Sequence, residues 1–240
     1  FASMKSLNSV LAIVVIVLFA GCVARVGEQA LIRPTPGERL TSATSADERW
    51  AVRSFDLPRK DGANLYAVQF SRPESKAVVL YFGGNAFTIS KLAQNILDIY
   101  AAQPVDVFMV DHRGSGGSGG KASLNAMLDD AVQTYDFVRQ MEPYRNKPII
   151  VHGQSLGSFF AGEVAKARTL DALVIESSAT TAEDWVQGLV DENLLLRRGV
   201  IEGSLKGKGN LEVMRSLDEP VLIVVGKNDG SASAPAGGDA

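Results

Sequence analysis

The chain has 240 residues, a formal net charge of −3 and a hydrophobic fraction of 46%, which suits one α/β domain with a sizeable core. Charges of both signs occur along the sequence, and the lack of a basic stripe argues against a nucleic-acid partner. The single cysteine, Cys22, excludes an internal disulfide framework and a cysteine-rich metal site.

Residues 1–22 have the organisation of a secretory signal. Met4-Lys5 opens a short basic segment, and an apolar run follows over residues 10–20 that is too short for a comfortable transmembrane helix. The sequence LFAGC ending at Cys22 resembles a bacterial lipobox, in which the cysteine is lipidated. We therefore expect a lipoprotein anchored to the membrane of a bacterial cell envelope. The alternative is an ordinary signal peptide or a short membrane anchor, with a secreted or periplasmic product.

The rest of the chain predicts a tether followed by one α/β domain. Residues 23–48 are polar and interrupted by prolines, which indicates a tether from membrane to domain. From residue 49 to residue 229, apolar strand patterns alternate with helical ones, which predicts an α/β fold with a mostly parallel sheet. The low-complexity residues 230–240 predict a disordered tail. Strands are predicted at 51–57, 64–70, 77–82, 105–110, 148–151, 172–177 and 220–226, and helices at 89–100, 124–141, 156–167 and 184–200.

The segment Gly153-Gln154-Ser155-Leu156-Gly157 matches G-x-S-x-G between a buried strand and an amphipathic helix. That context is typical of a nucleophile elbow, where a serine in a strained turn exposes its hydroxyl at the carboxyl end of the sheet. Gly153 and Gly157 are expected because side chains there would clash with the closely approaching backbone. The alternative is that Ser155 only N-caps the helix.

Acyl transfer also requires hydrogen-bond donors for the developing oxyanion. The backbone N–H of Leu156 directly follows the serine. We expect a second donor at the backbone of Asn85, in the loop Gly83-Gly84-Asn85-Ala86 after the strand at 77–82. The alternative for this loop is a plain glycine turn between a strand and a helix.

These motifs together resemble the α/β-hydrolase superfamily, in particular its branch of small serine hydrolases and serine aminopeptidase-like esterases. That branch carries HGNA in the oxyanion loop, where this chain has Gly83 in place of the histidine. It also carries DxRGxGxS after the fourth strand, which residues 111–118 match. The resemblance runs from about Trp50 to Asp229. It implies hydrolysis of a small-molecule or peptide acyl substrate, with no metal and no organic cofactor.

The resemblance implies a catalytic acid just after the second strand beyond the nucleophile. Asp229, three residues after Gly226, fits that place and would orient a histidine. The alternatives are that Asp229 is a surface turn residue and that Glu176 is the acid.

The general base is the missing element of the expected triad. In the family the histidine follows the acid by a helix and a strand, but only eleven residues follow Asp229 here. His152 is expected to point away from Ser155 because side chains alternate along a strand. His112 lies in a loop where the family commonly has tyrosine. We expect neither to be the base, so the chain is either a fragment or disrupted copy lacking the last strand and helix of the fold, or a complete but impaired protein.

Residues 114–119 also satisfy G-x-G-x-x-G, a pattern of dinucleotide sites. The pattern follows the fourth strand rather than the first, and Gly120-Lys121-Ala122 separates it from the next helix. The same stretch is a near miss for a Walker A loop, with Ala122 where Mg²⁺ binding needs a hydroxyl. We instead expect Asp111 and Arg113 to tie this loop together as an ion pair.

The sequence therefore predicts a membrane-tethered serine hydrolase that cleaves an ester, thioester or amide bond through an acyl-enzyme at Ser155. The alternative is a catalytically impaired, lipid-anchored binding module that keeps the cleft of a hydrolase.

Overall fold

The computed structural model describes residues 22–40, 48–178, 180–191 and 196–226. The predicted signal peptide before Cys22, the predicted tail at 230–240 and Asp229 lie outside these residues. The strands are β1 (Cys22–Val26), β2 (Ala51–Pro58), β3 (Asn64–Ser71), β4 (Ala77–Phe82), β5 (Val105–Val110), β6 (Ile149–Gln154), β7 (Ala172–Glu176), β8 (Leu196–Ile201) and β9 (Val221–Val224). The helices are α1 (Glu28–Leu31), α2 (Ile89–Ile99), α3 (Leu124–Gln140), α4 (Leu156–Ala167), α5 (Ala182–Asp191) and α6 (Leu211–Ser216), with a 3-10 turn at Glu142–Tyr144.

The main sheet has the strand order β2-β3-β5-β4-β6-β7-β9 within the described residues. The pairs that involve β3 are antiparallel, and the pairs from β5 through β9 are parallel. The central strands β4 and β5 are almost wholly buried, as expected for parallel strands covered on both faces. The predicted mostly parallel α/β fold is confirmed.

Alternate side chains of each central strand belong to different sides of the core. On β4, Leu80 packs in the cluster that contains residues of α3 and α4. Its neighbour Tyr81 packs in the cluster that contains residues of α2. This alternation follows from the two-residue period of a strand, and it places helices on both faces of the sheet.

The predicted helix at 184–200 is wrong in its second half. The helix α5 ends at Asp191, and residues 196–201 form strand β8, which pairs in parallel with β1. Glycine at 199 weakens a helix, and the β-branched pair Val200-Ile201 favours a strand. The partner strand lies more than 170 positions earlier in the sequence, so a local pattern does not indicate the pairing.

Residues 23–48 were predicted to be a tether from membrane to domain, and their described part is packed on the domain. Leu31 and Ile32 are buried in the main core cluster. The following extended residues reach Pro36, which forms a parallel β-bridge with Gly116. The prolines indicated an unstructured linker, but the apolar pair before them buries enough surface to hold the segment against the domain.

None of the helices within the described stretches combines the length and the apolar character that a bilayer span requires.

Candidate active site

Ser155 lies in the turn between the end of β6 and the start of α4. Its backbone has φ 50° and ψ −117°, which is rare for a residue with a side chain. The residue is exposed, and its side chain makes no cap hydrogen bond to α4. The turn is held by its backbone instead: the N–H of Ser155 donates to the carbonyl of Glu176 at 2.8 Å. The N-cap alternative is therefore excluded, and the hydroxyl is left free for chemistry.

The two glycines of the motif allow a close approach of backbones. A Cβ on Gly153 would lie 2.6 Å from Cα of Ser158, and a Cβ on Gly157 would lie 2.6 Å from the carbonyl oxygen of Gly83. Neither neighbour is a flexible side chain that could move aside. Glycine at 157 therefore brings the first turn of α4 against the end of β4, and with it the loop that follows β4.

That loop, Gly83–Ala86, lies directly against the serine. A Cβ built on Gly84 would lie 3.1 Å from Cβ of Ser155 and 3.7 Å from its Oγ. The backbone N–H groups of Asn85 and Leu156 make no hydrogen bond to any residue in the described part of the chain. Leu156 is also the first residue of α4, where the helix dipole favours negative charge. The loop and the helix start thus offer two backbone donors beside the hydroxyl.

The side chain of Asn85 binds the backbone of residues 31–33, a contact that the sequence analysis did not predict. Its Nδ2 donates to the carbonyl of Leu31 at 2.6 Å, and its Oδ1 accepts from the N–H of Arg33 at 3.0 Å. Sequence reasoning missed this contact because residues 23–48 indicated a tether. The buried pair Leu31-Ile32 is the signal that could have shown the segment to be packed.

His152 is buried and fully engaged away from the serine hydroxyl. Its Nδ1 lies 2.7 Å from the hydroxyl of Tyr100, and its Nε2 lies 3.1 Å from Oε2 of Glu176. An ionised carboxylate only accepts, so Nε2 donates to Glu176, and Nδ1 is engaged by the hydroxyl of Tyr100. With both ring nitrogens occupied, His152 has no lone pair to take a proton from Ser155.

Glu176 is the partner of that histidine and also shares the end of the sheet. The bond from His152, with a further one from Nε2 of Gln154 at 3.1 Å, holds the pKa of the Glu176 carboxyl below its usual range despite burial. The hydroxyl of Tyr81 donates to the other end of the Gln154 amide at 2.9 Å. Burial raises the pKa of both Tyr81 and Tyr100. Glu176 therefore belongs to a buried network behind the elbow.

His112 is the second histidine, and it contacts the loop Gly83–Ala86 from the interior of the domain. Its Nε2 lies 2.8 Å from the carbonyl oxygen of Gly83. Because a carbonyl only accepts, Nε2 is the protonated nitrogen. Its ring packs on Phe160 with 4.7 Å between ring centroids, and burial lowers the pKa of His112. This neutral ring holds Gly83 in place.

Gly83 stands where the resembling family has histidine, and its surroundings explain the departure. A Cβ at that position would lie 2.5 Å from Cβ of Phe87 and would overlap its ring. Phe87 is buried against Tyr81, with 5.3 Å between ring centroids. Glycine is the residue that this packing accepts.

Asp229 lies outside the described residues, but the strand before it, β9, ends on the side of the sheet where β6 leads into Ser155. Gln154 is in register with Glu176, and Glu176 is in register with Val224 at the end of β9. Parallel strands are about 4.8 Å apart. The chain therefore leaves β9 at the same edge as Ser155, about two strand spacings away.

The prediction of an ion pair between Asp111 and Arg113 is wrong. Arg113 instead pairs with Asp130, at 2.5 Å from Nε to Oδ2, and with Asp61, and these partners raise its pKa. The buried Asp111 carboxylate accepts from the backbone N–H of Ile89 and of Gly117, each at 2.8 Å. The two side chains point to different elements: Asp111 accepts from backbone N–H groups, and Arg113 pairs with carboxylates on other elements.

The same contacts decide the nature of the glycine-rich loop. The N–H of Gly117 is directed at Asp111, and the N–H of Gly114 donates to the carbonyl of Gly119 at 3.3 Å. A phosphate cradle needs free backbone donors. The carboxylate of Asp111 occupies the place that an anion would take, which speaks against nucleotide binding here.

Among the described residues, no group of three or more His, Cys, Asp or Glu side chains is arranged to hold a metal ion.

Known proteins resemble this chain in both sequence and fold. Protein bem46 of Schizosaccharomyces pombe is 25% identical over 221 residues, which cover 84% of this chain and 70% of that protein. Uncharacterized protein YfhR of Salmonella typhimurium is 31% identical over 127 residues, 51% of this chain and 42% of its own length. The chain thus spans between two fifths and seven tenths of these relatives.

The Pyrococcus furiosus esterase Pf2001 has the same fold. Its structure superposes with a TM-score of 0.62 at 15% sequence identity, over 83% of this chain and 78% of the esterase. Residues 73–200, more than half of the chain, match the Hydrolase_4 family, described as serine aminopeptidase, S33. This stretch contains the strands β4 to β7, the loop Gly83–Ala86 and the G-x-S-x-G motif around Ser155. The chain therefore belongs to the Hydrolase_4 family of α/β hydrolases.

Proposed function

We propose that the chain is a serine hydrolase that cleaves a carboxylic ester, thioester or amide through an acyl-enzyme at Ser155. The observation that carries the proposal is the exposed, uncapped hydroxyl of Ser155 in a strained turn. The loop containing Gly84 lies against it. Membership of a hydrolase family supports the same reaction class.

The proposed reaction follows from the groups around the serine. Oγ of Ser155 attacks the carbonyl carbon while its proton passes to a general base, and the carbonyl oxygen becomes an oxyanion. The backbone N–H groups of Asn85 and Leu156 donate to that oxygen. The tetrahedral intermediate then expels the leaving group, which takes up the proton, and water hydrolyses the acyl-enzyme by the reverse sequence. No step needs a metal or an organic cofactor.

The base in this proposal is a histidine that the 240 residues do not supply. His152 is bonded to Tyr100 and Glu176, and His112 is buried against the carbonyl of Gly83. Asp229 would orient the histidine, since the strand before it ends at the same edge of the sheet as Ser155. Without its base, the serine of the 240-residue chain is a weak nucleophile with residual reactivity from the oxyanion site.

The location in this proposal is the surface of a membrane in a bacterial cell envelope. Lipidation of Cys22 would provide the anchor, because acyl chains transfer favourably into a bilayer. The substrate would then be a small-molecule or peptide acyl compound within reach of that surface.

A serine-directed fluorophosphonate probe tests the proposal on the 240-residue chain. We expect slow labelling at Ser155, located by peptide mass mapping, and none in the Ser155→Ala variant. We also expect hydrolysis of an activated ester above the level of that variant. An unrelated serine hydrolase serves as positive control, and absence of label at Ser155 under conditions where the control is labelled would contradict the proposal.

A lipid-anchored binding module that lacks catalysis is the second candidate. The observation in its favour is that both histidines are engaged in structural contacts. This candidate predicts that Ser155 stays unlabelled and that the chain and its Ser155→Ala variant hydrolyse the activated ester equally slowly.

A further inference from the structure

The oxyanion loop Gly83–Ala86 has little to hold it in place from within. It contains two glycines, and Ala86 has φ 62°. Its own hydrogen bond runs from the N–H of Phe87 to the carbonyl of Gly84 at 3.2 Å. Donors to an oxyanion act only when they are fixed in advance, so the loop depends on neighbouring elements for its position.

One of these neighbours is the extended segment of residues 31–37, which we call the strap. The strap is joined to the loop by the amide of Asn85. That amide donates to the carbonyl of Leu31 and accepts from the N–H of Arg33. In a parallel β-sheet, a carbonyl and the N–H two residues later form the two hydrogen bonds to one residue of a neighbouring strand. The Asn85 amide takes the place of that residue. Asn and Gln are the residues whose side chains carry an amide, which can donate to the carbonyl and accept from the N–H at the same time.

The strap is itself fixed on both sides of this contact. Before it, Leu31 and Ile32 are buried, 4% and 6% exposed. After it, the N–H of Thr35 donates to Oγ of Ser115 at 3.0 Å, and the carbonyl of Thr35 accepts from Gly116 at 2.9 Å. The Asn85 amide thus connects the loop to a part of the chain that cannot shift freely.

We propose that the strap is a positioning element of the active site, acting through the Asn85 side chain to fix the backbone N–H of Asn85. The proposal rests on the proposed function, because it assigns that N–H to the oxyanion. The strap touches neither the serine nor the substrate. Its effect is on the rate of attack at Ser155, whereas binding of the substrate is left largely unchanged.

A matched pair of substitutions at Arg33 isolates the bond. Arg33→Pro removes the backbone N–H that donates to Asn85, while Arg33→Ala removes the side chain and keeps the N–H. Ile32 before it is extended, with φ −103° and ψ 119°, a conformation that a following proline accepts. We expect the maximal rate of fluorophosphonate labelling at Ser155 to fall about tenfold or more in Arg33→Pro. Its half-saturation concentration should change little, and Arg33→Ala should stay within about twofold of the parent chain.

A double-mutant cycle ties the effect to Asn85. Asn85→Ala removes both amide bonds, so adding Arg33→Pro to it should slow labelling no further. Ser115→Ala, which removes one of the two bonds at the far end of the strap, should slow labelling about threefold and serves if Arg33→Pro fails to fold. Equal labelling of Arg33→Pro and Arg33→Ala, or additive effects with Asn85→Ala, would overturn the inference.

Hydrogen exchange separates this inference from the proposed function. If the parent chain is not labelled at Ser155, the proposed function fails. Whether the strap holds the loop is then tested by the rate of amide hydrogen exchange over residues 83–87. Faster exchange there in Arg33→Pro than in Arg33→Ala would support the strap as the element that holds the loop. Equal exchange would refute it.

Discussion

At the scale of single residues, the backbone of Ser155 is held in a conformation that residues with side chains avoid. Such conformations cost on the order of 1–3 kcal/mol and persist where the surroundings over-determine them. Here the surroundings are the bond from the Ser155 N–H to the Glu176 carbonyl and the close packing at Gly153 and Gly157. The position of the hydroxyl is therefore maintained at the expense of stability.

Two substitutions at Ser155 measure that strain. Both Ser155→Ala and Ser155→Gly remove the hydroxyl of the proposed nucleophile, and neither should be labelled. Glycine adopts positive φ without the steric cost, so Ser155→Gly should have a free energy of unfolding about 1 kcal/mol higher than Ser155→Ala. Urea denaturation of the two variants side by side gives the difference. An alanine variant as stable as the glycine variant would mean that the turn is not strained.

Ser155 and its immediate neighbours could be predicted because the signal is local: five adjacent residues between a buried strand and an amphipathic helix. The roles of the two histidines depend on distant partners. Tyr100 lies 52 positions from His152, and Gly83 lies 29 positions from His112. Strand alternation was enough to exclude His152 as the base, but not to show what it binds.

At the scale of elements, Asp111 follows the end of β5 and connects it to the start of α2 and to the glycine-rich loop. Its carboxylate accepts from the first residue of α2, Ile89, and from Gly117 in the glycine-rich loop. Burial raises the pKa of the Asp111 carboxyl to about 6, although the two N–H bonds act in the opposite direction. The folded protein thus holds a proton that the unfolded chain releases at lower pH.

This raised pKa predicts a dependence of stability on pH. Between about pH 4 and pH 6 the folded state binds more protons than the unfolded state, so stability falls as pH rises through this window and levels off above it. Across this window, the titration of Asp111 lowers the free energy of unfolding by an amount on the order of 2–3 kcal/mol. In Asp111→Asn that contribution is absent, while the other titrating groups remain.

Urea denaturation of the parent chain and of Asp111→Asn at a series of pH values separates this term. The difference in unfolding free energy, parent minus variant, should decrease as pH rises from 4 to 6.5. A lost hydrogen bond in the variant shifts the whole difference by a constant and leaves its slope unchanged. A difference independent of pH would contradict the prediction.

Elements whose identity rests on local pattern were predicted well, and elements that depend on a distant partner were not. The buried strands β4 and β5 and the helix α4 begin and end at the predicted residues. The strand β8 forms against β1, and the strap is held through Asn85, 54 positions from Leu31. Periodicity reports which face of an element is apolar, but it does not report which element covers that face.

At the scale of the whole molecule, the described sheet ends in two different edges. At one edge, β2 is antiparallel and its exposed Val52 is followed by charged and polar residues. At the other edge, Leu222 and Ile223 of β9 are 58% and 60% exposed. Because successive side chains point to opposite faces, neither face of β9 is covered by described residues.

An apolar edge strand of this kind predicts self-association of the 240-residue chain. At concentrations on the order of 100 µM, Ile223→Lys should raise the monomer fraction, because a charge on the edge opposes pairing. Val52→Lys, at the opposite edge, is the matched control and should leave the fraction as it is. Sedimentation equilibrium measures both, and a parent chain that is monomeric throughout, or an equal effect of both lysines, would contradict the prediction.

The strap also limits how far Ser155 can lie from the proposed lipid anchor. Leu31 lies nine positions after Cys22. Nine positions span at most about 30 Å when fully extended, and α1 makes the distance shorter. An anchored enzyme would therefore keep its nucleophile within roughly one bilayer thickness of the lipid surface. Acyl compounds that partition into the membrane would meet it by two-dimensional diffusion at a high effective concentration, whereas soluble esters would gain nothing from the tether.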